Sequence, residues 1–272
     1  MKKFTVDRGE ARAGDVRIAY QVSGEGPALV CCHAMGWDHS LWDSHRSSFS
    51  NAHKLVTFDQ RGSGDSDHPP FSEENKGAYT VDTFAEDLRA VLDKLGIYKA
   101  NIVGYSMGAI PALRFAINLP DRVEKLVLVS AMASRLPEEI IDRARKVEEV
   151  LKQKGLKETY DFYFSGPLFE KAKNADEMKK KIDLSLKKAT PHGFSGCYRL
   201  TIDRPSMVDE LHKITAPTLV LAGERDKHYV VEADLLIGKI PNASKHIVKN
   251  AGHALASQEQ EEFETQVLRF IS

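Results

Sequence analysis

Cysteine is scarce in this chain of 272 residues: there are three, at positions 31, 32 and 197. Cys31 and Cys32 are adjacent, so they point to opposite faces of any strand that carries them. An odd count without metal-ligand spacing argues against a disulfide framework or a zinc site. We therefore expect buried, reduced cysteines, no bound metal and a cytoplasmic protein.

An excess of charge of one sign is also missing. The 38 Lys and Arg residues balance 39 Asp and Glu residues, which gives a formal net charge of -1 and argues against nucleic acid as a partner. The best apolar run, residues 126–133, is far shorter than the roughly 18 residues of a membrane-spanning helix. Charged residues interrupt the first positions before a secretory apolar stretch forms. We expect neither a membrane partner nor an export signal.

Short apolar runs alternate with amphipathic helical patterns over most of the chain. Polar and apolar residues alternate over 4–8 and 16–22, which predicts an antiparallel hairpin. Further strands are predicted over residues 28–32, 55–58, 101–103, 123–129, 218–222 and 245–248, and helices over 80–95, 107–119 and 258–270. This order predicts an α/β fold with a mostly parallel, doubly wound sheet, whose ligands bind beyond the carboxyl ends of the strands.

The alternation stops over residues 132–208, a stretch too long for a simple connection. Residues 137–154 have helical periodicity, and Met178, Ile182 and Leu186 mark another amphipathic helix. We therefore predict two units: a core formed by residues 1–131 and 209–272, and a helical cap, or lid, formed by residues 132–208.

A catalytic motif lies between a predicted strand and a predicted helix. Residues 104–108 read Gly-Tyr-Ser-Met-Gly and match the G-x-S-x-G nucleophile elbow, a turn that lifts a serine above a sheet. A serine hydroxyl needs an imidazole to take its proton and a carboxylate to orient that imidazole. Asp226 and His253 each follow a later strand, although Glu224 is close enough in sequence to compete with Asp226. The order is therefore Ser106, Asp226, His253.

These motifs together resemble the α/β-hydrolase superfamily, in its serine-nucleophile branch. The resemblance extends along the whole chain and includes His-Ala-Met-Gly-Trp at 33–37, Asp-Gln-Arg-Gly-Ser-Gly-Asp-Ser at 59–66, and the Gly-His pair at 252–253. It implies an eight-stranded, mostly parallel sheet with an inserted helical cap. It also implies that Ser106 is the nucleophile, His253 the general acid and base, and Asp226 the orienting acid. Some members carry the acid after the strand that follows the elbow, but no carboxylate stands there before Glu138.

The resemblance also implies an oxyanion hole built from two backbone N–H groups. One belongs to Met107, at the start of the helix after the elbow. By position, the other belongs to Met35. Here Ala34 replaces the glycine that is usual in the family, which limits the freedom of this loop to take a positive φ. The adjacent His33, and also Asp59 and Arg61, are expected to brace the site.

Aromatic residues are concentrated in the predicted cap. They either line an apolar substrate pocket or form the core of the cap itself, and the sequence leaves both readings open. The set is Tyr160, Phe162, Tyr163, Phe164, Phe169, Phe194 and Tyr198. From these and from positions near strand ends, the predicted pocket residues are Trp37, Met132, Tyr160, Phe164 and Phe194.

The serine at the elbow narrows the expected chemistry. Haloalkane dehalogenases and epoxide hydrolases of this superfamily carry an aspartate there, whereas Ser106 favours acyl transfer to water. The chain is similar to esterases and to enzymes like 3-oxoadipate enol-lactonase, which implies a small ester or lactone substrate and no cofactor. A carbon-carbon bond hydrolase, a slow-turnover ligand receptor and a cofactor-free perhydrolase remain alternatives.

Overall fold

The structure is a computed structural model that describes residues 4–72, 76–165 and 175–272. Its strands are β1 (Asp7–Ala13), β2 (Val16–Ser23), β3 (Ala28–Cys32), β4 (Lys54–Phe58), β5 (Ala100–Tyr105), β6 (Val123–Val129), β7 (Thr218–Gly223) and β8 (Ala243–Val248). Its helices are α1 (Arg46–Phe49), α2 (Val81–Lys94), α3 (Ala109–Asn118), α4 (Glu138–Lys154), α5 (Leu156–Phe164), α6 (Ala175–Lys188), α7 (Pro191–Asp203), α8 (Lys227–Lys239), α9 (Leu255–Gln258) and α10 (Gln260–Ile271).

The eight described strands form one sheet in the order β1-β2-β4-β3-β5-β6-β7-β8. The pairings of β2 with β1 and with β4 are antiparallel, and the other described pairings are parallel. Helices cover both sides of the sheet. The predicted mostly parallel, doubly wound, eight-stranded sheet is therefore confirmed.

The central strands are buried on both faces, which explains their continuous apolar sequences. Every residue of β5 and of β7 is buried. Helices α2 and α3 pack against each other, whereas α1 contacts α10. Parallel strands need such coverage on both faces. Because β5, β7 and β8 run in the same direction, their carboxyl ends lie at one edge of the sheet.

The first hairpin differs from the sequence prediction. We predicted a strand over residues 4–8, but β1 spans Asp7–Ala13. Ala13 pairs with Val16, so the connection is a tight turn through Gly14 and Asp15, with Gly14 at φ 60°. Most of β1 is exposed at the edge of the sheet. Its polar residues therefore lack the alternation by which a half-buried strand is identified.

Four described helices, α4 to α7, lie between β6 and β7, and two of them coincide with the predicted helical patterns. Helix α7 begins where Thr190 accepts a hydrogen bond from the Gly193 N–H at 3.1 Å, with Pro191 at the first helical position.

No helix within the described ranges is long and apolar enough to cross a membrane.

Candidate active site

Ser106 occupies a strained turn at the carboxyl end of β5. Its φ is 52°, a left-handed conformation that costs a non-glycine residue about 1–3 kcal/mol. The flanking glycines allow close backbone approach. A Cβ on Gly108 would lie 2.3 Å from the Cys32 carbonyl oxygen, and one on Gly104 would lie 2.7 Å from the Ala109 Cα. The turn therefore requires glycine on both sides of Ser106.

Ser106, His253 and Asp226 form a continuous hydrogen-bonded chain. The Ser106 Oγ lies 2.9 Å from the His253 Nε2, and the His253 Nδ1 lies 2.7 Å from the Asp226 Oδ2. His253 and Asp226 are buried, whereas Ser106 is partly exposed. When Nδ1 bears the ring proton and donates a hydrogen bond to the Asp226 carboxylate, Nε2 is unprotonated and can accept the serine proton.

Glu224, the competing carboxylate, is used elsewhere. Its Oε2 accepts a hydrogen bond from the Asn250 N–H at 3.0 Å, and its side chain is exposed. Asp226 is the carboxylate that contacts the imidazole. Asp226 therefore stays the proposed orienting acid, and Glu224 does not contact the imidazole within the described chain.

Three residues that the sequence analysis missed surround His253. The Tyr105 hydroxyl donates to the His253 carbonyl oxygen at 2.7 Å, and the Ser130 Oγ donates to the same oxygen at 3.3 Å. The ring of Tyr229 lies 4.6 Å from the imidazole, measured between centroids. Burial raises the pKa of both tyrosines, so both hydroxyls keep their protons. Tyr105 is inside the elbow motif, but its contact with His253 spans 148 residues.

Two backbone donors are candidates for an oxyanion hole: the Met35 N–H in the loop after β3 and the Met107 N–H within the elbow. Within the described chain, neither N–H group donates to a side chain or to a backbone carbonyl outside its own helical turn, and the first N–H groups of a helix lack intrahelical acceptors. Both side chains are buried. The left-handed residue in the first of these loops is Gly36, with φ 75°, so Ala34 does not have to take a positive φ. The missing glycine at position 34 therefore leaves the loop intact.

The loop after β4 is fixed by buried charges. Arg61 donates two hydrogen bonds to Asp87, at 2.8 and 2.6 Å. Asp59 accepts hydrogen bonds from the backbone and ring of His39, at 2.6 and 2.8 Å. His33 uses both ring nitrogens on backbone groups: Nδ1 donates to the Ala34 carbonyl, and Nε2 accepts from the Gln60 N–H. These residues brace the loops around Ser106.

One cluster within the described residues has the composition of a cation site. Ligand atoms of Asp38, His39 and Asp59 lie within 4.8 Å of one another. Asp59 already accepts from His39 on one oxygen and from the Asp65 N–H on the other, and Asp38 accepts from the Ser40 N–H. Hydrogen bonds within the chain therefore account for this arrangement without a metal.

The predicted pocket residues are mostly packed against one another. Trp37 contacts Phe164 edge to face at 5.8 Å, and Tyr160 lies 5.7 Å from Phe164 and 5.4 Å from Phe194. A gap of about 10 Å³, enough for one water molecule, is lined by Trp37, Tyr160 and Phe194 together with neighbouring loop residues. Met132 is buried just beyond β6. Phe169, another aromatic residue of the predicted cap, lies outside the described residues.

Known proteins resemble this chain over most of its length. Residues 27–259 match the family model described as alpha/beta hydrolase fold. A putative 2-succinyl-6-hydroxy-2,4-cyclohexadiene-1-carboxylate synthase of Bacillus subtilis is 27% identical, over 94% of this chain and 95% of its own. The 3-oxoadipate enol-lactonase 2 of Acinetobacter baylyi is 27% identical, over 79% and 78%. A 2-hydroxy-6-oxononadienedioate/2-hydroxy-6-oxononatrienedioate hydrolase of Burkholderia vietnamiensis is 28% identical, over 94% and 91%.

Proposed function

Because the chain belongs to the alpha/beta hydrolase fold family, we propose that it is a serine hydrolase that cleaves a small carboxylic ester or lactone through an acyl-enzyme intermediate. The observation that carries this proposal is the hydrogen-bonded chain from Ser106 through His253 to Asp226. The similarity to an enol-lactonase supports the substrate class. No cofactor is needed for this chemistry.

Acylation begins with attack of the Ser106 Oγ on the substrate carbonyl carbon, while its proton passes to the His253 Nε2. Asp226 stabilises the imidazolium that forms. The carbonyl oxygen gains negative charge, and the N–H groups of Met35 and Met107 are the proposed donors to it. When the tetrahedral intermediate collapses, His253 gives the proton to the departing alkoxide. In a lactone, this alcohol stays attached to the acyl group.

Deacylation repeats these steps with water. His253 takes one proton from a water molecule, whose oxygen attacks the acyl carbon, and a second oxyanion forms at the same donors. Collapse of this intermediate breaks the bond to Ser106, and His253 returns the proton to the Oγ. The products are a carboxylic acid and an alcohol, or one hydroxy acid from a lactone.

We further propose that residues 132–208 act as the cap and that Trp37, Met132, Tyr160, Phe164 and Phe194 contact substrate. Contacts of α6 and α7 with the core favour the assignment of residues 132–208 as a cap. Lys188 pairs with Asp65 at 2.7 Å, and the Cys197 thiol donates to the Arg61 carbonyl oxygen at 3.3 Å. Since Trp37, Tyr160 and Phe194 leave a gap of only about 10 Å³ between them, a substrate that contacts all three would have to displace their side chains.

The test is hydrolysis of para-nitrophenyl esters of graded acyl length and of a lactone panel by the wild type and by Ser106→Ala. We expect Ser106→Ala to lose at least about 10⁴-fold in kcat with an unchanged melting temperature. Ser134→Ala, a second serine near the sheet edge, is the matched control and should retain full activity. Equal hydrolysis by Ser106→Ala and the wild type would contradict the proposal. Binding of a lactone without repeated turnover would favour a receptor instead.

A carbon-carbon bond hydrolase is the second candidate, because the relative from Burkholderia vietnamiensis covers nearly the whole chain. The two candidates share a hydrogen-bonded serine and histidine but differ in the bond that breaks. Loss of absorbance from a vinylogous 1,5-diketone, without hydrolysis of simple esters or lactones, would favour this candidate. Turnover of esters alone would exclude it.

A further inference from the structure

The backbone carbonyl oxygen of His253 accepts hydrogen bonds from two hydroxyls that come from neighbouring strands. The Tyr105 hydroxyl lies 2.7 Å from this oxygen, and the Ser130 Oγ lies 3.3 Å from it. A carbonyl oxygen has two lone pairs, so it can accept both bonds. Tyr105 is the last residue of β5, and Ser130 follows the last residue of β6, which pairs with β5. The sheet therefore holds the main chain of His253 in addition to the contacts of its imidazole.

Both donors have little freedom to move. Tyr105 is 4% exposed and Ser130 is 1% exposed. The ring of Tyr105 packs 6.3 Å from the ring of Trp42, and the Ser130 N–H donates to the Leu221 carbonyl oxygen of β7 at 2.8 Å. Burial raises the pKa of Tyr105, so its hydroxyl keeps its proton and remains a donor at neutral pH.

The segment that carries His253 lies between β8 and α9 and has no regular secondary structure. Its position depends on individual hydrogen bonds, because a loop has no repeating backbone pattern to fix it. On the N-terminal side, the Gly252 N–H donates to the Gln258 Oε1 at 2.6 Å. At His253 itself, the hydroxyls of Tyr105 and Ser130 hold the carbonyl. These two contacts fix the segment at the residue that carries the imidazole.

The proposed proton transfer depends on where this imidazole lies. Its Nε2 is 2.9 Å from the Ser106 Oγ, and its Nδ1 is 2.7 Å from the Asp226 Oδ2. A displacement of about 1 Å in an active site can lower a rate about 100-fold. Tyr105 directly precedes Ser106 in the chain, so one short unit fixes both partners of the proton transfer.

We propose that Tyr105 is a positioning residue: its hydroxyl holds the His253 main chain so that the imidazole stays within hydrogen-bond distance of Ser106. Ser130 is the second, weaker donor to the same oxygen, because its contact is longer. Tyr105 acts through His253 and not on the substrate. The inference rests on the proposed serine hydrolase function and adds a residue to it.

A purely structural role for the Tyr105 hydroxyl predicts a different result, and Tyr79 provides the matched control. Tyr79 is 5% exposed, and its hydroxyl donates to the Pro69 carbonyl oxygen at 2.8 Å, outside the proposed catalytic residues. Replacement by Phe removes the same kind of bond from both tyrosines and keeps both rings. We expect Tyr105→Phe and Tyr79→Phe to lower the melting temperature by similar amounts.

The experiment measures kcat and KM on the best para-nitrophenyl ester, and the rate of inactivation by a fluorophosphonate. We expect Tyr105→Phe to lower kcat and the inactivation rate about 10- to 100-fold, with KM within about threefold of the wild type. Ser130→Ala should lower both rates about two- to fivefold. Tyr79→Phe should stay within about twofold of the wild type in both rates.

The double variant Tyr105→Phe/Ser130→Ala tests whether the two hydroxyls share one function. Because they donate to the same oxygen, each partly compensates for loss of the other. The double variant should therefore lose more activity than the product of the two single losses. A loss equal to that product would show that the hydroxyls act independently and would contradict a shared anchor.

The outcomes separate this inference from the function on which it rests. If the wild type neither hydrolyses esters or lactones nor reacts with the fluorophosphonate, the proposed function fails. If the wild type is active and Tyr105→Phe matches Tyr79→Phe in both rates, the function stands and the positioning role is wrong. A loss confined to KM also overturns it. If Tyr105→Phe does not fold, as judged by circular dichroism, Ser130→Ala decides, and rates equal to those of Tyr79→Phe overturn the anchor.

Discussion

The Asp226 carboxylate lies 2.7 Å from the His253 Nδ1, and both side chains are buried where the chain leaves β7 and β8. These two strands are parallel neighbours, so their carboxyl ends bring the two residues together although 27 positions separate them. With Nδ1 directed at Asp226, the other ring nitrogen faces Ser106. The contact orients the imidazole for the proposed proton transfer.

Replacement of Asp226 by Asn should lower kcat about 10⁴-fold, because an amide at this position stabilises the wrong imidazole tautomer. Steady-state hydrolysis of the best para-nitrophenyl ester measures the loss. Glu224→Gln, two residues earlier, is the control and should stay within about threefold of the wild type. A larger loss in Glu224→Gln than in Asp226→Asn would reverse the assignment of the orienting acid.

Substitution of Gly108 by Ala should disrupt the elbow, because the added Cβ would lie 2.3 Å from the Cys32 carbonyl oxygen. We expect a loss of about 2–4 kcal/mol in the free energy of unfolding, measured by urea denaturation. Gly238→Ala, in α8, adds the same methyl group where no atom lies within 4 Å, and should be neutral or slightly stabilising. Equal stability of the two variants would show that the turn tolerates a side chain.

Removal of the Asp87 carboxylate should destabilise the fold, because Arg61 would remain as a buried, unpaired cation. The expected cost of Asp87→Ala is about 3–5 kcal/mol in urea denaturation. The neighbouring pair of Glu86 with Arg89 is exposed, so Glu86→Ala should cost less than about 1 kcal/mol. Similar costs for the two variants would argue against a bracing role for the buried pair.

Lowering the pH should weaken the contacts that the ionised Glu264 carboxylate of α10 makes with His45 and Ser48, and so should lower the stability of the fold. Burial favours the neutral acid, but hydrogen bonds from His45, Ser48 and Gln260 outweigh it and lower the pKa of Glu264. A carboxyl group whose pKa is lowered on folding stabilises the protein above its unfolded pKa of about 4.3, and this contribution disappears as the pH falls through the folded value.

Glu264→Gln should therefore be less stable than the wild type at pH 7, and the difference should shrink below about pH 4. Melting temperatures recorded from pH 3 to pH 7 measure it. Glu261→Gln, an exposed position on the same helix, should follow the wild type throughout. A difference for Glu264→Gln that stays constant with pH would show that charge is not the cause.

The sheet could be predicted from the sequence because its buried strands are continuous apolar runs. The edge strand β1 could not be placed correctly, since exposed polar residues on both faces hide its period. Helix α8 was also missed, although Asp226 precedes it directly. Its pattern is interrupted by Tyr229, Glu232 and other residues that face neighbouring loops instead of forming a single apolar stripe.

The candidate site likewise combines residues that could be predicted from the sequence with residues that could not. Ser106, Asp226 and His253 follow strands whose ends meet, so their proximity could be anticipated from chain order. Tyr105, Ser130 and Tyr229 could not be assigned in this way, because their places around His253 depend on contacts that only the folded chain brings about.

Covalent labelling with a fluorophosphonate tests the central claim most directly, because this reagent traps a serine that a neighbouring imidazole activates. Intact mass and peptide mapping should show one adduct per chain in the wild type, on Ser106. Labelling should be slow in Asp226→Asn and absent in Ser106→Ala. An adduct on another residue, or equal labelling of Ser106→Ala, would contradict Ser106 as the nucleophile.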